Sequence, residues 1–125
     1  MKEFDVFVQD KPGELARICE TLGNNGVNIK AIASERHQNN PRIRIVTDDE
    51  ATTTSCLRRM GVSYELKEVL RVSLSDKPGE LGKMARRLAK AMVNVDSIYI
   101  ISKENGMTEM ALTVDNMRKA KSALK

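Results

Sequence analysis

The sequence has no tryptophan, and its aromatic residues are two phenylalanines and two tyrosines, Phe4, Phe7, Tyr64 and Tyr99. They are scattered, so no cluster offers a stacking platform for nucleic-acid bases. One histidine, His37, and two distant cysteines, Cys19 and Cys56, leave no metal-ligand spacing and no histidine beside a nucleophile. Acidic pairs beyond helix caps are also missing, so an enzyme is not expected and no cofactor or metal is predicted. No apolar run approaches the ~18 residues of a membrane span, and no N-terminal signal peptide is recognisable. A cytoplasmic protein without membrane contact is the expectation.

The net charge of +4 raises the question of nucleic acid. The cations fall mainly on helix faces, as with Lys83, Arg86, Arg87 and Lys90, and on the tail carrying Arg118, Lys119, Lys121 and Lys125. Without interleaved aromatics they read as a solvated basic face, and no nucleic-acid partner is predicted. Cys19 and Cys56 sit at apolar positions of two predicted helices and read as buried reduced thiols.

What the sequence does have is a six-residue phrase written twice. Asp10-Lys11-Pro12-Gly13-Glu14-Leu15 returns unchanged as Asp76-Lys77-Pro78-Gly79-Glu80-Leu81. The same 66-residue offset that separates Asp10 from Asp76 also pairs Leu22 with Leu88, Val27 with Val93, Asn28 with Asn94 and Ile32 with Ile98. This is an internal duplication. The predicted units are residues 1–67 and 68–125. Each is so small that the two are expected to share a buried interface about a pseudo-twofold axis.

In each copy the phrase stands between an alternating strand and a helical stripe, so it is a strand-to-helix turn. Pro12 is placed in the first helical turn, where its missing N–H costs nothing. Gly13 is taken to clear space for a close approach, Asp10 to cap free N–H groups, and Glu14 to complement the helix dipole. As an isolated motif this is a well-made helix start. Its repetition, each time followed by Val-Asn, makes it more specific.

Alternation marks strands at 4–9 and 70–74, each with one polar face, so a sheet covered on one face is expected. Leu15, Ile18, Cys19 and Leu22 form a helical stripe ended by Gly23 and Gly26. Leu81, Met84, Ala85, Leu88 and Met92 form the second, which lacks those glycines and is expected to run longer or end less sharply. Second strands follow at 28–34 and 94–102. A polar loop at 35–40 and the hairpin signal Lys103-Glu104-Asn105-Gly106 lead to third strands at 42–47 and 107–114. Asp48 and Asp115 are read as caps of helices at 50–60 and 116–124. A fourth strand, 62–66, belongs to the first unit alone. The prediction is an α+β protein of two ferredoxin-like βαββαβ units side by side, the second without its last strand. The strand at 71–75 would then be an open edge, and a homodimer or higher assembly is expected to cover it, the alternative being that Arg71 and Lys77 beside the edge are the charges that keep it monomeric.

Strand, Asp-x-Pro-Gly-Glu-Leu, helix and then Gly26-Val27-Asn28-Ile29 together resemble the ACT domain, a small regulatory module that binds amino acids and related metabolites. Met92-Val93-Asn94-Val95 fits the second motif without its glycine. The resemblance covers nearly the whole chain as two units. It implies a ligand site where paired units meet. There Asp10, Pro12, Gly13, Glu14 and Leu15 would face Asn94 and Val95, and Asp76, Pro78, Gly79, Glu80 and Leu81 would face Asn28 and Ile29. Helix N-terminal N–H groups suit a carboxylate, and an asparagine amide both donates and accepts. Familiar amino-acid-binding members often carry Asn where this chain has Asp10 and Asp76. That departure favours a ligand ammonium nearby and leaves open whether both pockets are functional.

The resemblance implies an allosteric regulatory protein that binds an amino acid and forms a homo-oligomer. The alternative is a regulatory subunit docking on a separate metabolic enzyme with its pockets vestigial, as small subunits of acetolactate synthase dock in a similar ACT family.

Overall fold

A computed structural model describes residues 1–36 and 40–125. His37 and half of the expected 35–40 loop, residues 37–39, therefore lie outside the described residues. The chain divides into two compact units, Met1–Glu68 and Val69–Lys125.

The first unit runs β1 (Lys2–Phe7), α1 (Glu14–Asn24), β2 (Ile29–Glu35), β3 (Arg42–Thr47), α2 (Glu50–Met60) and β4 (Ser63–Glu68). Its sheet is antiparallel between neighbours, in the order β2-β3-β1-β4. The second unit runs β5 (Leu70–Ser75), α3 (Glu80–Lys90), β6 (Val95–Glu104), β7 (Met107–Val114) and α4 (Met117–Ala123), with sheet order β5-β7-β6. Both are ferredoxin-like α+β units, and the second has no counterpart of β4 among the described residues. β5 is consequently an outer strand of its sheet.

Each core lies between helices and one sheet face. Phe4 and Val6 of β1, Ile43 and Ile45 of β3, Ile18 and Leu22 of α1, and Cys56 and Leu57 of α2 fill the first. Met84, Leu88, Met110, Leu112 and Ala120 fill the second. The i, i+4 spacing of Ile18 with Leu22, and of Met84 with Leu88, puts each pair on the buried stripe. Leu15 and Leu81 leave it: they are 45% and 47% exposed. Cys56 is fully buried, whereas Cys19 is only half-buried; both are free thiols. Burial, with the Glu20 charge added, pushes the Cys19 thiol above its usual pKa.

The structure corrects several boundaries. β1 starts and stops two residues early, because it pairs from Lys2↔Glu68 to Phe7↔Ser63 with β4. That pairing also carries β4 and the first unit through Glu68. The helix caps are Asp49, accepting from the Thr52 N–H at 3.0 Å, and Asn116, accepting from the Lys119 N–H at 3.0 Å. Asp48 and Asp115 instead accept from the backbone N–H groups of Asn28 and Asn94, fastening β2 and β6. Two Thr52 hydrogen bonds, side-chain and backbone, hold Asp49 below its usual pKa.

α3 is no longer than α1, despite lacking its glycines: both have 11 residues. The chain achieves this by placing Met92 at φ +60°, where the first unit has Gly26 at φ +76°. Asn105 and Gly106, at φ +53° and +74°, make the predicted hairpin turn between β6 and β7.

Candidate functional site

The repeated phrase begins as a turn, not as helix. Gly13 has φ 93° and ψ −11°, and Gly79 has φ 89° and ψ −14°. With proline before each, these glycines occupy the third position of a type II turn, which requires positive φ. In the second unit the turn closes with the Glu80 N–H donating to the Lys77 carbonyl at 3.3 Å. A Cβ at either glycine would meet nothing within 4 Å, so backbone conformation, not a close approach, demands glycine. Pro12 and Pro78 consequently precede the helix instead of sitting in its first turn.

The helix then starts with the Gly13 carbonyl accepting from the Arg17 N–H at 2.9 Å, and the Gly79 carbonyl from the Lys83 N–H at 3.1 Å. No side chain caps α1 or α3, whereas α2 and α4 are both capped. The first N–H groups of a helix have no partner within it, and they carry the positive end of its dipole. Among the described residues, only the two helices behind the repeated phrase present these groups without a side-chain cap.

Asp10, expected as that cap, turns to Arg36 instead. Arg36 Nε donates to Asp10 Oδ1 at 2.8 Å, across from the end of β2. The second unit repeats the device: Lys103 Nζ lies 3.4 Å from Asp76 Oδ1. Each phrase borders a small cavity. The first, of about 240 Å³, is lined by residues 10–15 together with Ser34 and Arg36. The second, of about 140 Å³, includes Asp76, Glu80, Leu81, Ile100 and Lys103. Glu14 is buried and held by Arg17 at 3.1 Å and Lys11 at 3.7 Å.

The other half of the predicted site lies elsewhere. The phrase follows the end of β1 where Phe7 pairs with Arg42 and Arg42 with Glu35. Ile29 pairs with Thr47, at the opposite end of the same sheet. Asn28 is tied there by both backbone groups, donating to Asp48 Oδ1 at 2.9 Å and accepting from the Asp48 N–H at 3.1 Å. Asn94 and Asp115 repeat the arrangement at 3.0 and 3.1 Å. Both asparagines are exposed. A single unit therefore does not bring its own phrase and its own asparagine together.

One cluster escaped the sequence reading. Period two put Asp5 on a polar outer face, yet Glu3 and Asp5 are as buried as Phe4 and Val6, at 0% exposure. Their cross-strand neighbours supply the reason. Arg44 NH1 stands 3.7 Å from both Glu3 Oε2 and Asp5 Oδ2, Lys67 Nζ stands 3.3 Å from Asp5, and Arg44 Nε donates to Glu35 at 2.8 Å. Burial disfavours the Arg44 cation, but the Glu35 hydrogen bond and the carboxylates of Asp5, Glu35 and Glu3 outweigh it and raise its pKa. Cross-strand charge complementarity was the available signal, and it becomes readable only once register is known.

Among the described residues, no helix is long and apolar enough to cross a membrane.

The family model for the ACT domain matches residues 3–55. No curated protein sequence matches the chain. Among solved structures, a protein from Bacteroides thetaiotaomicron superposes with a TM-score of 0.88 at 21% identity, covering 98% of this chain and 85% of the other. The ligand-free regulatory subunit of aspartate kinase from Thermus thermophilus gives 0.71 at 17% identity, covering 98% and 87%. The corresponding subunit from Thermus flavus gives 0.70 at 18% identity, with the same coverage.

Proposed function

We propose that the chain is a non-catalytic regulatory protein binding an amino acid or related metabolite where ACT units pair; the ACT-domain family model that matches residues 3–55, and a second unit that repeats the element order of the first up to its last strand, support this reading. The observation that carries this reading is the contrast between capped and uncapped helices. α2 and α4 have side-chain caps, while α1 and α3, behind the repeated phrase, have none. Uncapped helix N–H groups favour a carboxylate. The neighbouring Asp10–Arg36 and Asp76–Lys103 pairs add both signs of charge, which suits a zwitterion.

In this reading Asn28, Ile29, Asn94 and Val95 serve a paired unit. The exposed asparagine amides complete the polar contacts to a ligand held at Asp10, Pro12, Gly13, Glu14 and Leu15, or at Asp76, Pro78, Gly79, Glu80 and Leu81. Exposed Leu15 and Ile32 in one unit, with Leu81 and Ile98 in the other, supply apolar area for such pairing. A homo-oligomer is part of the proposal. Two free thiols suit a reducing compartment such as the cytoplasm.

A second reading is a subunit that docks on a metabolic enzyme. The outer position of β5 favours it, since its free side can accept another strand. Two structural neighbours carry the description of regulatory subunits of aspartate kinase, and for this chain an enzyme partner is an inference by analogy.

A thermal-shift screen of the full chain against the twenty amino acids tests the first reading. Ligand at 100 Kd stabilises by roughly 2.7 kcal/mol, a readable shift for so small a protein. Replacing Asn28 and Asn94 together with alanine is expected to weaken binding at least about tenfold. Unchanged affinity in that double variant moves the site elsewhere.

A further inference from the structure

The repeated turn of the first unit has two sides, and only one belongs to the site above. The Asp10–Arg36 cavity lies toward β2. On the other side, toward α2 and β4, opens a larger cleft of about 720 Å³. Its volume falls in the ordinary range of small-molecule sites, roughly 300–1,000 Å³. Lys11, Pro12, Gly13 and Glu14 border both. Arg17, Met60, Val62 and Ser63 border this cleft alone, whereas Asp10, Leu15 and Arg36 do not reach it.

We infer that this cleft is a second ligand site, for a monocarboxylate with an apolar body such as a branched or aromatic 2-oxo acid. The lining divides into two parts. Phe7, Val8, Met60 and Val62 supply apolar wall. The rest of the lining includes two cations, Lys11 and Arg17, whose side chains are half exposed although both are engaged by buried Glu14. Arg17 donates one hydrogen bond to Glu14 Oε2 at 3.1 Å, and a guanidinium carries five donors. Lys11 Nζ stands 3.7 Å from Glu14 Oε1. Two cations against one carboxylate leave a single positive charge at the wall, beside the uncapped start of α1. That charge suits one carboxylate. The cleft has no carboxylate left over to hold an ammonium, so a zwitterion fits it less well than the corresponding 2-oxo acid.

Calorimetric titration of the full chain with 4-methyl-2-oxopentanoate and phenylpyruvate tests the inference. Leucine and the methyl ester of phenylpyruvate serve as controls. Both acids are expected to bind, and the ester at least tenfold more weakly. Arg17→Ala removes the cation from a half-exposed helix position, and Ser63→Trp narrows the cleft from an exposed position on β4. Both are expected to weaken acid binding at least tenfold; Arg17→Ala, which takes from buried Glu14 its hydrogen bond, is expected to lower the melting temperature as well, whereas Ser63→Trp is expected to retain it. Arg36→Ala, on the other side of the turn, is expected to leave it unchanged. Absence of acid binding at millimolar concentration, retained affinity in either cleft variant, or loss in Arg36→Ala overturns the assignment.

Discussion

Asp10 accepts a 2.8 Å hydrogen bond from Arg36 Nε, and the equivalent Asp76 faces Lys103 at 3.4 Å. The aspartate of the repeated phrase is thus neutralised by a cation delivered from the end of the following strand, and the helix behind it stays uncapped. Both partners are substantially exposed, so the pair contributes little stability, about 0–1 kcal/mol. Arg36→Ala is expected to leave urea unfolding nearly unchanged while weakening amino-acid binding about tenfold. A large loss of stability with intact binding makes the pair structural.

Met92 stands at φ +60° and is 79% exposed, in the place that Gly26 fills in the first unit. Left-handed backbone costs a residue with a Cβ about 1–2 kcal/mol, and so exposed a side chain recovers little of it by burial. Met92→Gly should therefore stabilise the second unit by about 1 kcal/mol, after glycine's greater unfolded-state entropy is deducted. Gly26→Ala should cost a similar amount in the first unit. Chemical denaturation of the two variants measures both signs, and a destabilised Met92→Gly defeats the argument.

Much of this fold was legible because its punctuation is local. β3, α2 and β7 fall on the residues that alternation and helix signals mark. The repeated phrase was legible as a strand-to-helix turn, but not its anatomy. Asp10 looks like a cap only if the helix starts at Pro12; a type II turn delays it to Glu14, beyond reach. Asp48 and Asp115 misled for a related reason, since the next residue in each case is also a good cap. Arg36 and Lys103 were not legible as site residues. Each lies far along the chain from its aspartate and meets it only because the first and second strands end at the same end of the sheet. Burial of Glu3 and Asp5 was hidden because alternation equates charge with exposure.

Asp49 provides a pH test of the helix caps. Its hydrogen bonds from Thr52 depress its pKa below the usual 3.8. A carboxylate depressed in the folded state stabilises above its unfolded pKa, and that contribution disappears as pH falls through the folded value. Asparagine caps as well as aspartate but does not titrate. Asp49→Asn should match the parent protein at pH 7 or fall slightly below it, and should lose less stability on acidification through the carboxylate range. Melting curves between pH 7 and pH 2 compare the two. Parallel curves mean that the cap is not linked to the proton.

Arg44 is the cation on which the outer face of the first sheet depends. Its guanidinium lies between two carboxylates with no exposure, and Lys67, which also reaches Asp5, is partly solvated. Removing one partner of a buried ionic cluster strands the others, at a cost of about 3–5 kcal/mol. Arg44→Met should reach that range in urea unfolding. Lys67→Met should cost less, because Asp5 keeps Arg44. Replacing Glu3 and Asp5 with leucine together with Arg44→Met removes the stranded charges, while Glu35 and Lys67 remain near enough to water to be solvated. Such substitutions are often neutral or stabilising when packing is kept. The triple variant should therefore be more stable than Arg44→Met alone, although it carries three changes in the sheet. If the triple variant is the less stable, the network holds the sheet together by its hydrogen bonding and shape, and charge compensation is not its role.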